Sequence, residues 1–517
     1  MGVSRKKILS FLLLVILVGV VGVAVTLYQR LSDLDEIRRV VVAKLEEITG
    51  RDVQVAGAEL DFKKGLGLRL RKVTICGKFR GKPRLAADSL WVVVKVLPLL
   101  KKQVEIRKLV LHGAQVQVVR DAAGQWNLHG LVDQFGKMAK PKKGGLLNMF
   151  KVRLIKRVVI QDARVQLFDF SAGADSDPVE MNFAGVQFSL RKDFFTPSYK
   201  FDARAQLPHP ERPGAIRVAG KLLHVLSFDR GLAFTWEAQA EVEELRLADL
   251  HPYVRRWVPE VSAAGRLALS ANFSGEWGGT ARSAGTLRYT TRDQRRGKSL
   301  RAPSAPGQGV FEYDLSVDAE RVMDLKAFRL LTGPFEMSGR ARFSELHSKN
   351  PKIAFSLATH AFRVNESRGF FPLNVLFSED VHALLRQRLP AGKLAIESLK
   401  FDGTFEELNH LADPKNYRRL SARIRLEDMD FASPLPEFKS VMGTIQLENG
   451  TQTLDLSRVV YSGFALFGVQ GTIRNAVDEP VADLSLENSV DAGRLHATLM
   501  KLFEGDPFKG YIEDYED

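Results

Sequence analysis

The chain has 517 residues, of which 45% are apolar and 26% charged, and its formal net charge is +14. This length exceeds what one hydrophobic core organises, so we expect several domains or one elongated repeat array. The composition excludes a disordered chain and a membrane protein with many spans, and the single cysteine excludes an internal disulfide.

The positive charge is concentrated near the N-terminus. Residues 1–150 carry 27 Lys and Arg against 12 Asp and Glu, whereas residues 151–517 carry 48 against 49. This predicts an anionic membrane surface as a partner, since each basic residue close to such a surface contributes roughly 1 kcal/mol. A solvated basic face is an equally good interpretation. Nucleic acid fits less well, because no nucleic-acid-binding motif accompanies the basic residues.

An apolar run predicts a membrane anchor at residues 8–28. The run contains no charged residue and reaches the roughly 20 residues that cross a bilayer as a helix. Arg5, Lys6 and Lys7 precede it, so the positive-inside rule keeps the N-terminus in the cytoplasm and places the rest of the chain across the membrane. A cleaved signal peptide is the alternative, but no small-residue cleavage site follows the run. We therefore predict that residues 1–30 form a cytoplasmic tip and an uncleaved anchor.

The pattern after the anchor changes from helical to extended. Apolar residues at spacings of three and four predict an amphipathic helix over residues 33–49. From residue 51 onward the apolar period is two, which is typical of strands with one apolar face. The candidates for that face are Val53, Val55, Leu66, Leu68, Leu70, Val92, Val94, Val96, Leu109, Leu111, Val116, Val118, Val165 and Leu167.

An internal repeat supports a sheet built from similar units. The segment Ile106–Val118 returns 49 residues later as Ile155–Leu167, with five identical positions. In each copy a strand is followed by a turn signal, at His112-Gly113 or at Gln161-Asp162, and then by a second strand. We therefore predict that a strand pair is the unit of a growing, elongated sheet.

The rest of the chain is predicted to continue mainly in strands. We expect an N-terminal domain over residues 31–170 and a middle β region over 171–300 that ends in a flexible loop at 292–308. Further β modules are expected over 309–517, with a few short helices among the strands.

No pattern in the sequence predicts chemistry. The ten histidines show no metal-ligand spacing, and the sequence lacks a nucleophile elbow, a phosphate-binding loop and a dinucleotide fingerprint. We therefore predict no catalytic residue, no metal, no cofactor and no enzymatic activity.

The apolar face of the predicted strands needs a cover. An antiparallel sheet requires a second layer on its apolar side, and few amphipathic helices follow residue 50. Either two sheets close face to face as a sandwich, or one sheet curls into a trough whose apolar lining contacts acyl chains. Periodicity alone favours the sandwich.

Several segments resemble the AsmA family of Gram-negative envelope proteins. They are the single anchor, Ile48–Val53, Gly65–Ile75, Ala86–Val94, and Ile106–Val118 followed by Gly124–Asn127. Together they extend over roughly the first 170 residues, which we interpret as an AsmA-like N-terminal domain. The glycine-punctuated strands of residues 443–486 are similar to the C-terminal region of these proteins.

The resemblance implies a location and a fold. It implies a single-pass protein of the bacterial inner membrane, with the N-terminus in the cytoplasm and the bulk in the periplasm. The implied fold is mainly β, with an elongated, repetitive antiparallel β-sheet groove after the transmembrane helix. It groups the chain with the bridge-like lipid-transfer proteins that include TamB and YhdP.

The implied function is passive. Phospholipid acyl chains would slide along the apolar groove in support of outer-membrane biogenesis, with an unidentified envelope or outer-membrane protein as a further partner. One alternative is a scaffold for the assembly of outer-membrane or secreted proteins, in which exposed sheet edges pair with client strands. An envelope hydrolase is a third hypothesis, which the missing catalytic motifs disfavour.

Overall fold

A computed structural model shows a protein that is mainly β, as predicted. The described ranges are 52–61, 67–75, 85–95, 106–127, 156–171, 178–223, 234–249, 265–291, 308–364, 391–431, 438–461, 464–475 and 481–487, without residues 123, 197, 278, 347 and 349, together with 39, 42, 43 and 46. The chain divides into two compact units, Met1–Leu245 (unit 1) and Arg246–Asp517 (unit 2).

Short, alternating apolar segments form the strands of unit 1. Their bounds are β1 (Val53–Asp61), β2 (Gly67–Ile75), β3 (Leu85–Val94), β4 (Ile106–His112), β5 (Gln115–Arg120), β6 (Arg157–Asp169), β7 (Val179–Lys192), β8 (Tyr199–Leu207), β9 (Gly214–Leu223) and β10 (Thr235–Arg246). Arg39, Val42, Ala43 and Glu46 are helical, in agreement with the amphipathic helix predicted before the strands.

Most neighbouring strands of unit 1 pair antiparallel. β1, β2 and β3 pair in chain order, and β3 also pairs antiparallel with both β4 and β5. β6 is the exception, because it pairs in parallel with β4 and β5. From β6 to β10 the order is again that of the chain, with antiparallel pairs.

The parallel pairs correct the prediction for the 49-residue repeat. The two copies lie side by side with equivalent residues opposite each other, from Lys108 against Arg157 to Arg120 against Asp169. The predicted turn at His112-Gly113 does not reverse the chain, because β4 and β5 run in the same direction along β6. The repeat unit is therefore one strand with a local kink and not a strand pair.

That kink belongs to a crease that crosses several strands of unit 1. Lys72, Gly113, Asp162 and Gly185 all have left-handed φ angles, between 47° and 63°. The residues that precede Lys72, Gly113 and Asp162 belong to one row of paired residues, which consists of Arg71, Ser89, His112 and Gln161. These three kinks therefore lie at the same level of the sheet. Hydrogen bonds continue across the level, where Gly113 N donates to Gln161 O at 3.0 Å.

Unit 2 contains a second series of strands. Their bounds are β11 (Gly265–Glu276), β12 (Ala281–Thr291), β13 (Gln308–Val317), β14 (Met323–Thr332), β15 (Phe335–Ser344), β16 (Lys352–Thr359), β17 (Phe362–Arg363), β18 (Ala391–Thr404), β19 (Leu420–Phe431), β20 (Phe438–Glu448), β21 (Thr451–Tyr461), β22 (Phe464–Arg474) and β23 (Val481–Ser485). All described pairs are antiparallel and follow chain order, except that β16 and the short β17 both pair with β18.

Two short helices, α1 (Phe405–Asn409) and α2 (Pro414–Tyr417), connect β18 to β19. Thr404 caps α1, since its hydroxyl accepts from the Glu407 amide at 3.3 Å while the Glu407 carboxylate accepts from the Thr404 amide at 2.8 Å. Leu408 of α1 is buried against apolar residues of the neighbouring strands. This connection therefore covers part of one sheet face in unit 2.

The described strands of each unit form one continuous series of pairs. The sandwich of two separate sheets, which periodicity alone favours, is therefore wrong for these strands. The alternation of side chains along a strand indicates that one face of the sheet is apolar, but it does not indicate whether a second sheet covers that face.

Two predicted features fall where the structure gives no description. The anchor at residues 8–28, with Arg5, Lys6 and Lys7, lies outside the described residues, as does 292–307 of the predicted loop. Within the described part of the chain, no helix has the length and apolar character needed to cross a membrane.

Candidate functional site

The strand registers of unit 1 align apolar side chains in rows that run across the sheet. Residues directly opposite each other on paired strands share a face. One row is Leu60, Leu68, Val92, Leu109, Val158, Leu190 and Phe201, and the next is Ala58, Leu70, Leu90, Leu111, Ile160, Phe188, Ala203 and Val218. A third is Val53, Ile75, Leu85, Val116, Val165 and Phe183. Together these rows are the apolar face of unit 1.

Because of the crease, apolar side chains from both halves of a kinked strand lie on this face. Side chains alternate with a period of two, so residues three apart normally point to opposite sides. A left-handed residue between them shifts the alternation by one. Leu70 and Val73, which flank Lys72, accordingly lie in one buried cluster. Ile160 and Ala163, which flank Asp162, likewise share a cluster with Val116.

The helix after the predicted anchor contacts one end of the apolar face. Val42 packs against the cluster that contains Val53, Leu70 and Val92. The Glu46 carboxylate accepts a hydrogen bond from Val53 N at 3.1 Å, which attaches the helix to the start of β1. Burial is greatest near this helix, where Leu70 is completely buried, whereas Leu109, Val158 and Leu190 farther along the row are only partly buried.

Unit 2 has an apolar face of the same construction. The registers align Leu269, Leu287, Phe311, Leu330 and Met337 in one row, and Leu315, Leu325, Ala341, Phe355, Phe401 and Leu420 in another. A second crease occurs here, since Asp428, Ser440 and Gly468 have φ angles of 48°, 48° and 60°. The residues that flank them are packed in one cluster, as Leu426 and Met429 illustrate.

The opposite face of unit 2 is polar and its charges are paired. Arg329 contacts Glu336 at 2.8 Å and Glu312 at 3.8 Å, all from neighbouring strands. The hydrogen bond from Arg329 is the main cause that holds the pKa of Glu336 below its usual value. Unit 2 is thus a sheet with one apolar and one polar face, whereas the opposite face of unit 1 combines charged residues with Trp91, Val110 and Val159.

Twelve of the fourteen residues predicted for the apolar face lie on it. Leu66 and Val96 lie outside the described residues. The structure brings Val53, Val55, Leu68, Leu70, Val92, Val94, Leu109 and Leu111 together in one cluster. Val116 joins the cluster beside the crease, and Val118, Val165 and Leu167 continue the face into β5 and β6. Their contact with lipid stays a prediction.

Sequence reasoning missed the part of the apolar face beyond the repeat. Phe188, Leu190 and Phe201 extend it in unit 1, and Phe311 and Leu330 belong to the face of unit 2. The same alternation is present in these segments, so the signal was available. The creases also have a sequence signature, namely two apolar residues three apart with Gly, Asp, Lys or Ser before the second.

The described residues contain no arrangement of His, Cys, Asp and Glu that could hold a metal ion. The main feature of the described residues is the apolar face of each unit.

Comparison with protein-family models adds a decisive observation. Residues 4–143 match the model of the AsmA family. These residues, called the AsmA segment, are similar to the AsmA family. The AsmA segment contains β1 to β5, with the first copy of the repeat, and the second copy continues the same sheet beyond it. No curated protein and no solved structure shows significant similarity to the chain.

Proposed function

We propose that this protein is an inner-membrane-anchored, periplasmic component of outer-membrane biogenesis that binds phospholipid and conducts it along its apolar faces. One observation carries the proposal: unbroken rows of apolar side chains cross the paired strands of unit 1, and from β4 to β8 the side chains of the first two rows are only partly buried. The AsmA segment and the apolar run at residues 8–28 within it support the envelope location.

Partial burial of the rows gives the lipid its binding energy. Covering apolar surface is favourable by about 25 cal/mol per Å². Acyl chains that lie across the rows would supply this cover, since the rows contain no charged side chain to desolvate. Because adjacent positions in a row are similar, a chain can move from one strand to the next at little cost.

Conduction along the rows requires an apolar face that extends across many strands, and it requires no catalytic residue. Neighbouring strands lie about 4.8 Å apart, so the twelve successive ladder positions of unit 2 extend its face over roughly 50 Å measured along the sheet. We propose no catalytic step, because contact with an apolar surface is sufficient to hold and release an acyl chain.

Site-specific photocrosslinking tests this function. A photoreactive amino acid at Leu190 or Phe311, on the apolar faces, is expected to capture phospholipid in cells. The matched controls are Ser189 and Glu312, which are adjacent in sequence but lie on the polar face. Lipid at neither apolar position, or equal capture at the controls, would contradict the proposal.

An assembly scaffold is the second candidate, and the edge strand β23 favours it. β23 pairs with β22 on one side, and no described strand pairs with its other side. Its apolar residues Val481 and Leu484 are about half exposed, at 50% and 48%. An exposed apolar edge can receive a client strand.

Charged substitutions on this edge separate the two candidates. A V481K and L484K variant is expected to lose co-purifying β-barrel precursors under the scaffold hypothesis and to keep lipid capture at Phe311. Under the lipid hypothesis the variant behaves as the unmodified protein in both measurements.

A further inference from the structure

The turn between β7 and β8 presents two phenylalanines to solvent. Phe194 and Phe195 are 89% and 90% exposed, whereas the exposed fractions of Trp126, Trp277 and Phe467 lie between 42% and 52%. Single exposed apolar residues are common, but two adjacent aromatic rings exposed to this degree form a local apolar projection. The rings contact each other edge to face, with centroids 5.2 Å apart.

Hydrogen bonds hold this turn in one conformation. Asp193 N donates to Ser198 O at 2.8 Å, and the Asp193 carboxylate accepts from Phe195 N at 3.1 Å. The other carboxylate oxygen of Asp193 contacts Lys200 Nζ at 3.1 Å. The Thr196 and Ser198 hydroxyls lie 2.6 Å apart. The two rings therefore project from a turn whose backbone is held by hydrogen bonds.

A row of basic residues lies at the same end of the sheet. The registers place Lys108, Arg157, Arg191, Lys200 and Lys221 opposite one another on β4, β6, β7, β8 and β9. Arg191 and Lys200 form a pair close to the base of the turn. The row occupies the polar face, since the neighbouring row with Leu190 and Phe201 is apolar. These five residues are the basic row.

Glu237 of β10 lies opposite Lys221 at one end of the basic row, whereas Arg157 and Arg191 have only basic residues opposite them. Lys200 contacts Asp193, and the end of Lys108 lies 6.0 Å from the Trp91 ring centre. Among the described residues, no ion pair engages Arg157, Arg191 or Lys221. Like charges opposite one another on paired strands destabilise a sheet. An anionic surface placed against the row would relieve this repulsion.

From these observations we infer that the β7–β8 turn is a membrane-docking site for an anionic lipid surface. Phe194 and Phe195 enter the interfacial region of the bilayer, where aromatic rings are favoured. The basic row binds the anionic headgroups around them. The turn and every residue of the basic row except Lys108 lie beyond residues 4–143, which match the AsmA family. It does not depend on lipid conduction along the apolar faces.

A polarity-sensitive dye attached at the turn tests the inference in the full chain. Replacing the single cysteine, as C76S, and introducing F195C allows specific labelling. In proteoliposomes of phosphatidylcholine with phosphatidylglycerol, the emission of the dye is expected to shift to the blue and intensify. The same dye at F467C, in unit 2, is expected to report water in the same vesicles.

Charge substitutions supply the matched comparison. R157Q with R191Q is expected to abolish most of the shift, because each basic residue contributes about a factor of five to binding an anionic surface. R204Q with R217Q removes the same charge from residues that contact Asp202, and it is expected to keep the shift. A dye at residue 195 that reports water in anionic vesicles, or an equal loss in both double variants, would overturn the inference. Neither result bears on lipid capture at Leu190 or Phe311.

Discussion

At the scale of single residues, the creases depend on backbone conformations that most residues avoid. Lys72, Asp162, Asp428 and Ser440 adopt left-handed φ angles although each has a Cβ atom. This conformation costs an L-residue roughly 1–2 kcal/mol. Packing offsets that cost, because the left-handed residue lets Leu70 and Val73, or Leu426 and Met429, be buried on one face.

Substitution of Asp162 tests this account. Asp162→Val is expected to reduce the free energy of unfolding by about 1–2 kcal/mol, because a β-branched residue tolerates a left-handed φ poorly. Asp162→Gly is expected to be neutral or stabilising, since glycine adopts this φ at no steric cost. Urea unfolding followed by circular dichroism measures both. Equal destabilisation by the two variants would show that the carboxylate matters and not the φ angle.

Asp193 makes the docking turn dependent on pH. The bond from Phe195 N, followed by that from Lys200, lowers the pKa of Asp193 below its ordinary value of 3.8. The order that this carboxylate confers is therefore fully present above about pH 4 and is lost as the pH falls through the lowered pKa. Asp193→Asn imitates the protonated state at neutral pH. Hydrogen exchange of residues 190–200 is expected to accelerate in this variant.

Asp202→Asn is the control for that experiment. Asp202 contacts Arg204 and Arg217 on the polar face and makes no described contact with the turn. Exchange in residues 190–200 should stay unchanged in this variant, and unchanged exchange in Asp193→Asn would contradict the role given to Asp193.

At the scale of elements, the parallel repeat pairs equivalent residues. Gln117 Nε2 donates to Gln166 Oε1 at 3.1 Å, and these residues occupy the same position in the two copies. At the end of the same pair, Arg120 contacts the Asp169 carboxylate at 3.4 Å. Asp169 is only 3% exposed and also accepts from Ser171. The copies are thus joined by apolar rows on one face and polar contacts beside them.

Removal of Arg120 is expected to weaken this junction. In Arg120→Met the buried Asp169 carboxylate loses a cationic partner, which is expected to cost about 1–3 kcal/mol of unfolding free energy. Arg204→Met, which removes a cation from the more exposed Asp202, is expected to cost less than about 1 kcal/mol. Urea midpoints compare the two variants. Equal midpoints would contradict a structural role for the Arg120–Asp169 contact.

At the scale of the whole molecule, the two units share one principle of construction. Each presents continuous apolar rows on one sheet face, and the charged residues of the strands lie mainly on the other. The difference lies in the polar faces, since unit 1 has the basic row and the charges around Arg329 in unit 2 are paired. Continuity of the apolar rows is what lipid conduction requires.

A single charge in a row is expected to interrupt conduction. Leu190→Asp places a carboxylate among acyl chains, where a charge costs about 2.5–3.5 kcal/mol, so lipid capture by a crosslinker at Phe201 should fall at least tenfold. Ser189→Asp adds the same charge on the polar face and is expected to leave capture unchanged. Circular dichroism verifies that both variants fold. Equal capture in the two variants would contradict conduction through this row.

Much of the strand content followed from local patterns. Alternation identified the strands that contain Val53, Leu68, Val92 and Leu109 and predicted that they share an apolar face. Local physics suffices here, because side-chain direction in a strand has a fixed period of two. The similarity of the AsmA segment to its family was likewise recognisable from the order of its sequence motifs.

Only the tertiary structure decided how the strands pair and what the turn signals do. Gly113 and Asp162 have the residue types of a reversing turn, yet they form kinks because β6 lies in parallel beside both halves of the first copy. Each residue of the first copy pairs with a residue 49 positions later, so no local pattern specifies this pairing. For the same reason Lys108 and Lys221 look unrelated along the chain, and only the registers between them bring the basic row together beside the Phe194–Phe195 turn.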